Sequence, residues 1–89
     1  MHFLTKIFKK YKPNHKYWIN LSEIKILSSF EKTPPKPRKM KEKYNYYNKT
    51  GKFYSPIILD KQFYLIDGYT SYIIAKNYKL NKVPVYFVD

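Results

Sequence analysis

The segment best suited to bind an anion is residues 65–76, which reads LIDGYTSYIIAK. Its pattern of a short apolar run, Asp-Gly and a helix-compatible stretch predicts a strand–turn–helix unit. Gly68 at the junction allows a sharp turn and a close backbone approach to a ligand. The first helix amides, at Tyr69, Thr70 and Ser71, have no acceptors within the helix, and two of these residues add hydroxyl donors. The segment therefore predicts a phosphate-binding turn.

The same pattern has a simpler interpretation. Asp67 precedes the glycine, and an aspartate at this place often acts as an ordinary helix N-cap. A strand, Asp-Gly and a helix are common in proteins that bind no phosphate, so this motif needs support from other residues.

The charge of the chain supports an anionic partner. Its 89 residues include 18 Lys and Arg against 6 Asp and Glu, which gives a formal net charge of +12. A field of this sign attracts nucleic acid, nucleotides or an anionic membrane surface, and the alternative is a solvated lysine-rich surface. Arg38 is the only arginine, and lysine reads base edges poorly, so we do not expect sequence-specific DNA reading.

Composition also bounds the class of protein. The 44% hydrophobic and 20% aromatic content argues against a disordered basic tail, and the length fits a single domain over 1–89. The absence of cysteine excludes a disulfide scaffold and a thiol nucleophile. No apolar run is long enough to span a membrane, and no signal-peptide pattern is present, so we expect a cytoplasmic protein.

The N-terminal stretch 1–12 predicts a short basic amphipathic helix that stops before Pro13. This helix either covers one face of a small sheet or serves as an arm that binds nucleic acid or a membrane surface. Its basic residues are candidates for nucleic-acid contact: Lys6, Lys9, Lys10 and Lys12.

Periodicity predicts the remaining elements as an α+β fold, a small mixed sheet with about three helices. We expect a strand over 17–21 and a short helical turn that is capped by Ser22 and carries Ile24 and Leu27. A break at 33–37 follows, and then a helix over 38–49, with Pro37 suited to its first turn and Gly51 to its end. A hairpin over 53–66, a helix over 69–78 and a final strand over 83–88 complete the chain.

Aromatic residues lie among the lysines of the middle helix. Tyr46 lies between Lys43 and Lys49, and Lys41 lies five residues before it. Aromatic rings beside basic residues suit stacking on the bases of nucleic acid, which makes Lys41, Lys43 and Tyr46 candidates for nucleic-acid contact. Most of the other tyrosines are expected to pack their rings inward.

Residues 17–89 resemble the ParB/sulfiredoxin-like superfamily. The matching pieces are Pro56-Ile57-Ile58, then Leu65-Ile66-Asp67-Gly68 with Ala75, then Val83-Pro84-Val85. Upstream, residues 19–24 resemble the family's opening strand and turn, and Pro37-Arg38-Lys39 falls where many members carry a phosphate contact. The resemblance implies an α+β fold that binds a nucleoside triphosphate. The phosphates of this nucleotide would lie at the helix that follows Gly68 and at Arg38 and Lys39, and Mg²⁺ would accompany the nucleotide if the protein is an enzyme.

The chain also departs from that family. Partition proteins carry Gly-Glu-Arg-Arg in this box and sulfiredoxin uses a catalytic cysteine, whereas Tyr69 to Tyr72 follow Gly68 here and cysteine is absent. The resemblance places Glu31 opposite the Gly68 turn, so Glu31 and Asp67 are the candidate catalytic carboxylates, with a surface residue and an N-cap as the simpler interpretation. His2 and His15 have no partners at ligand spacing, and no metal site is predicted.

Three functions remain open on these grounds. The first is a ParB-like domain, typical of a bacterial plasmid, phage or other mobile element, that binds DNA or a nucleotide without catalysis. The second is a nucleotide-dependent phosphotransferase or nuclease of the same superfamily. The third is a module that docks an acidic protein partner, whose identity the sequence does not give.

Overall fold

The fold is a four-stranded mixed sheet with helices, and its strands are β1 Tyr17–Asn20, β2 Ile57–Leu59, β3 Leu65–Asp67 and β4 Lys82–Phe87. Strand β4 lies inside the sheet, whose order is β1-β4-β2-β3. A computed structural model describes residues 11–88. Strand β4 pairs antiparallel with β1 and parallel with β2, and β2 pairs antiparallel with β3. The helices are α1 Ser28–Lys32, α2 Pro37–Thr50 and α3 Tyr69–Asn77, with a 3-10 turn at Leu21–Glu23.

Three helices and a mixed sheet confirm the predicted α+β class. Side chains alternate between the two faces of β4. Val83, Val85 and Phe87 are buried on one face and form part of the core, whereas the residues between them are only partly buried. Ala75 of α3 joins this buried cluster with apolar residues of the other strands. No helix of residues 11–88 is long and apolar enough to cross a membrane.

The expected helical turn from Ser22 to Leu27 is wrong. Only Leu21–Glu23 forms a 3-10 turn, and helix α1 begins after Leu27. Lys25 lies between them in extended backbone, because its N–H donates to the Phe63 carbonyl at 2.8 Å and its carbonyl accepts from the Leu65 N–H at 2.9 Å. These contacts with the hairpin outweigh the weak local helix preference of the segment.

The predicted N-terminal helix lies outside the described residues, except for its last two positions, which are not helical. Tyr11 stacks on Phe87 with ring centroids 4.1 Å apart, and the Lys12 N–H donates to the Tyr17 hydroxyl at 2.9 Å. These contacts fix the chain against the sheet immediately before β1.

The hairpin forms as predicted, but its strands are shorter. The Asp60 carboxylate accepts hydrogen bonds from the N–H groups of Gln62 and Tyr64, both at 2.9 Å, so the side chain organises the turn. Phe63 has a left-handed φ of 71°, which delays the start of β3 to Leu65.

Helix α2 begins and ends as the sequence indicates. Pro37 occupies its first turn, where the missing N–H removes no helical hydrogen bond. Gly51 ends it with a left-handed φ of 73° and donates its N–H to the Tyr47 carbonyl at 2.7 Å. Met40, Tyr44 and Tyr47 of this helix are partly buried.

Gly68 joins β3 to α3 at a place where no side chain fits. Its φ is 89°, and a Cβ there would collide with the Pro56 carbonyl oxygen and lie 2.8 Å from the Cα of Ile57. The first turn of α3 is therefore pressed directly against the start of β2. This contact positions the helix amides that the sequence marked for anion binding.

The two glycines allow a matched test of this close approach. Gly51→Ala has free space around the new methyl group, so it should cost only the left-handed backbone penalty, about 1–2 kcal/mol. Gly68→Ala carries the same penalty and the collision as well, so we expect a loss of more than about 3 kcal/mol in the free energy of unfolding. Urea denaturation of both variants measures the difference, and equal losses would contradict the close approach.

Candidate phosphate-binding groove

The first turns of α2 and α3 face each other across an open groove of about 630 Å³. Lys36, Arg38 and Lys39 come from the start of α2, and Gly68, Tyr69 and Thr70 come from the start of α3. The proline loop before α2 closes one end through Pro34 and Pro35. The groove thus brings together most of the residues that the sequence assigned to phosphate.

Both helices present an uncapped N-terminus to this groove. The N-cap residues, Lys36 for α2 and Gly68 for α3, make no side-chain cap hydrogen bond. The first-turn N–H groups of a helix lack acceptors within the helix, and they carry partial positive charge. Two such ends on one groove form a polar cradle for an anion.

The side chains of the groove are mixed in charge with an excess of cations. Four basic residues, Lys36, Arg38, Lys39 and Lys43, line it together with the acidic Glu42 and Asp67. The Lys43 ammonium donates to the Ser55 hydroxyl at 3.1 Å and lies 3.7 Å from the ring centroid of Tyr54. This lysine is therefore already oriented by protein contacts, whereas the other three basic groups are exposed.

Ser71 differs from its two neighbours in the predicted turn. It is 2% exposed, and its hydroxyl donates to the Ser55 carbonyl. This hydrogen bond ties α3 to the segment before β2. Ser71 therefore does not line the groove, whereas Tyr69 and Thr70 do. The three residues differ because successive side chains of a helix point in different directions, and that of Ser71 points toward the core.

Asp67 does not act as the N-cap of α3. Gly68 holds that position, and the Asp67 carboxylate accepts the Gly68 N–H at 2.8 Å instead of an N–H further along the helix. The left-handed backbone of Gly68 places Asp67 one residue too early to reach the first turn. Its carboxylate lines the groove.

The second candidate carboxylate, Glu31, lies on α1 and does not line this groove. It borders a neighbouring cavity of about 360 Å³, which it shares with Tyr69, Tyr72 and Lys76. Tyr69 lines both spaces, and its ring packs on Phe30 with centroids 5.2 Å apart. The two carboxylates thus open onto different spaces, and residues 11–88 contain no group of three or more His, Asp or Glu suited to a metal ion.

The residues predicted to contact nucleic acid are distributed over several surfaces. Tyr46 is half exposed and packs edge-on against Tyr54, with centroids 5.2 Å apart, beside Lys43 and the groove. Lys41 and Lys12 are exposed and lie outside the groove lining. Lys6, Lys9 and Lys10 lie outside the described residues.

Sequence reasoning missed Lys36, Glu42 and Ser55. Lys36 could have been found from its position directly before Pro37, since the residue before a proline at the first helical position is the N-cap. Glu42 follows Arg38 by one helical turn and so shares its face. Nothing local in the sequence indicates that Ser55 connects both helices.

Comparison with solved structures identifies the architecture. A pNOB8-like ParB N-domain matches with a TM-score of 0.70 at 21% identity, over 84% of this chain and 30% of that chain. Another structure of a pNOB8-like ParB N-domain gives 0.66 at 23% identity, over 84% and 28%. The chain has the ParB N-domain fold.

A conserved hypothetical protein from Pyrococcus furiosus shares this ParB N-domain fold, with a TM-score of 0.64 at 17% identity over 89% of this chain and 34% of that chain. The matched region spans about a third of the length of these solved chains. No protein-family model and no curated protein sequence matches the chain. The resemblance expected from the sequence is thus confirmed for the fold.

The surroundings of Tyr69 predict a measurable pKa. Burial raises the pKa of the Tyr69 phenol above its usual value of 10.0, and the negative charges of Glu31 and Tyr72 raise it further. Because the folded state favours the neutral phenol, the stability that this group contributes is complete below pH 10 and is lost as the pH rises through the raised pKa.

We expect Glu31→Gln to lower the pKa of Tyr69, because it removes one of the charges that oppose phenolate formation. Glu23→Gln, at the exposed 3-10 turn, is the control and should leave it unchanged. Carbon-13 NMR of labelled tyrosine side chains follows the titration, and an unchanged Tyr69 pKa in the Glu31 variant would contradict this arrangement.

Proposed function

We propose that this domain binds phosphate groups in the groove between α2 and α3, those of DNA or of a nucleotide, and performs no chemistry on them. The observation that carries the proposal is the convergence of two uncapped helix N-termini with four basic side chains on one open surface. Helix N-termini favour anions through their free N–H groups and their dipole.

Basic residues of α2 take the place of the arginines that are absent after Gly68. In the resembling partition proteins an arginine-rich box follows this glycine, whereas Tyr69 and Thr70 line the groove here. The cations come instead from the facing helix, where Arg38 and Lys39 occupy the first turn of α2. An arginine binds phosphate with a planar fork and a lysine binds it as a point charge.

Both the likeness to ParB N-domains and the positive charge of the groove support DNA or a nucleotide as the ligand. Two of the solved structures that share the fold are described as ParB N-domains. A groove whose cations are three lysines and one arginine suits backbone phosphates better than base edges. We therefore expect binding that depends steeply on salt and weakly on DNA sequence.

A nucleotide ligand could also bring Mg²⁺. This ion is usually held by phosphates together with one or two protein carboxylates, and Glu42 and Asp67 are the carboxylates of the groove. The proposal assigns no catalytic role to them, because Glu31, the second member of the catalytic pair expected from the sequence, borders the other cavity.

Binding to ATP, CTP, GTP and a short DNA duplex, with and without Mg²⁺, tests the proposal by isothermal titration calorimetry. We expect Arg38→Ala/Lys39→Ala to weaken binding of a responding ligand by about tenfold or more, as the loss of two charged hydrogen-bond donors implies. Lys49→Ala/Lys61→Ala removes the same charge from exposed positions outside the groove, and it is the matched control.

Three outcomes would overturn the proposal. Equal weakening in both double variants would show that net charge alone attracts the ligand. Tighter binding of an acidic peptide than of any nucleotide or DNA would favour a protein-docking module. Hydrolysis of a bound nucleotide, abolished by Asp67→Asn, would favour the enzyme.

A further inference from the structure

A second recess, here called the tryptophan hollow, lies outside the groove. It measures about 600 Å³ and shares no lining residue with the groove. Trp18 and Pro84 contribute the sheet side, and Tyr47 and Phe53 come from the end of α2 and the loop that follows it.

The strand register explains why this surface is apolar and yet open. Trp18 of β1 pairs directly with Pro84 of β4, while the next pair, Ile19 and Val83, is buried in the core. Side chains alternate across a strand, so Trp18 and Pro84 lie on the opposite face of the sheet. Trp18 remains 61% exposed there, which is unusual for so large an apolar ring.

All charged residues that line the hollow are lysines. Lys16, Lys52 and Lys82 line it, and its lining contains no acidic residue. The Lys16 ammonium lies 6.0 Å from the ring centroid of Trp18, at the outer limit of a cation–π contact. The phosphate-binding groove, by contrast, includes two carboxylates.

We infer that the tryptophan hollow binds an unpaired base of single-stranded nucleic acid, stacked on Trp18, with the neighbouring phosphates held by the three lysines. Aromatic rings set in a positively charged surface are the usual means of binding single strands, because every base offers a π-face for stacking. An acidic peptide could pair with the lysines, but its carboxylates offer no aromatic ring to stack on the indole. This inference does not depend on phosphate binding in the groove.

Trp18 reports on its own occupancy, since it is the only tryptophan of the chain. A base stacked on the indole should quench its fluorescence. The probe is a twelve-nucleotide oligothymidylate, compared with a twelve-base-pair duplex and with poly-glutamate of similar charge. We expect the single strand to quench Trp18 and to bind more tightly than the duplex, which offers no unpaired base along its length.

The affinity of variants for the fluorescein-labelled single strand, measured by anisotropy, locates the stacking. Trp18→Ala should weaken binding by about 5- to 150-fold, the range for loss of one aromatic–base stack, while Trp18→Phe keeps a ring and should stay within about threefold. Leu27→Ala is the control, because Leu27 is a large apolar side chain that is 46% exposed and lies outside both the hollow and the groove. It should bind like the original chain.

The lysines give a second test that does not depend on the indole. Replacing Lys16, Lys52 and Lys82 by alanine should reduce the slope of log affinity against log salt by about 2, as expected for three phosphate contacts on a single strand. Arg38→Ala/Lys39→Ala, in the groove, should leave Trp18 quenching by oligothymidylate intact. Retained quenching therefore separates this inference from the proposed function.

Three results would overturn the inference: equal losses of affinity in the Trp18→Ala and Leu27→Ala variants, quenching as strong with the duplex as with the single strand, or tighter binding of poly-glutamate than of oligothymidylate. Trp18 is largely solvent-exposed, so its replacement should leave the fold intact, and circular dichroism checks this for each variant.

Discussion

The contact between Gly68 and the start of β2 is the constraint on which the candidate groove depends. Because nothing larger than a hydrogen fits there, the first turn of α3 lies directly against residues 55–57. Ser55 extends this contact to the other helix, since its carbonyl accepts from Ser71 and its hydroxyl accepts from Lys43 of α2. The glycine is required by packing alone, so the case for phosphate binding comes from what faces it.

Two basic surfaces of different chemistry lie on this one small domain. The groove combines helix dipoles with mixed charges, which suits compact anions such as phosphate groups. The tryptophan hollow combines the exposed indole of Trp18 with lysines and no acidic residue, which suits a base and its neighbouring phosphates. Under both proposals, the cations of this lysine-rich and arginine-poor chain would contact phosphates.

Local patterns were sufficient for the elements that carry the groove. Pro37 and Gly51 mark the ends of α2 through backbone rules that act within a few residues, and the turn at Gly68 is of the same kind. The inward direction of Ser71 was not predictable, because it depends on how α3 packs. The tryptophan hollow was not predictable either, because it depends on the register between β1 and β4, two strands from opposite ends of the chain.

The central claim is that an anion lies between the two helix N-termini, and amide NMR with inorganic pyrophosphate as the titrant tests it most directly. The account predicts that the largest nitrogen-15 and proton shifts occur at the amides of Arg38, Lys39, Tyr69 and Thr70, which belong to the two first turns. Shifts of similar size spread over exposed lysines such as Lys12 and Lys61, with none concentrated at the two turns, would contradict it.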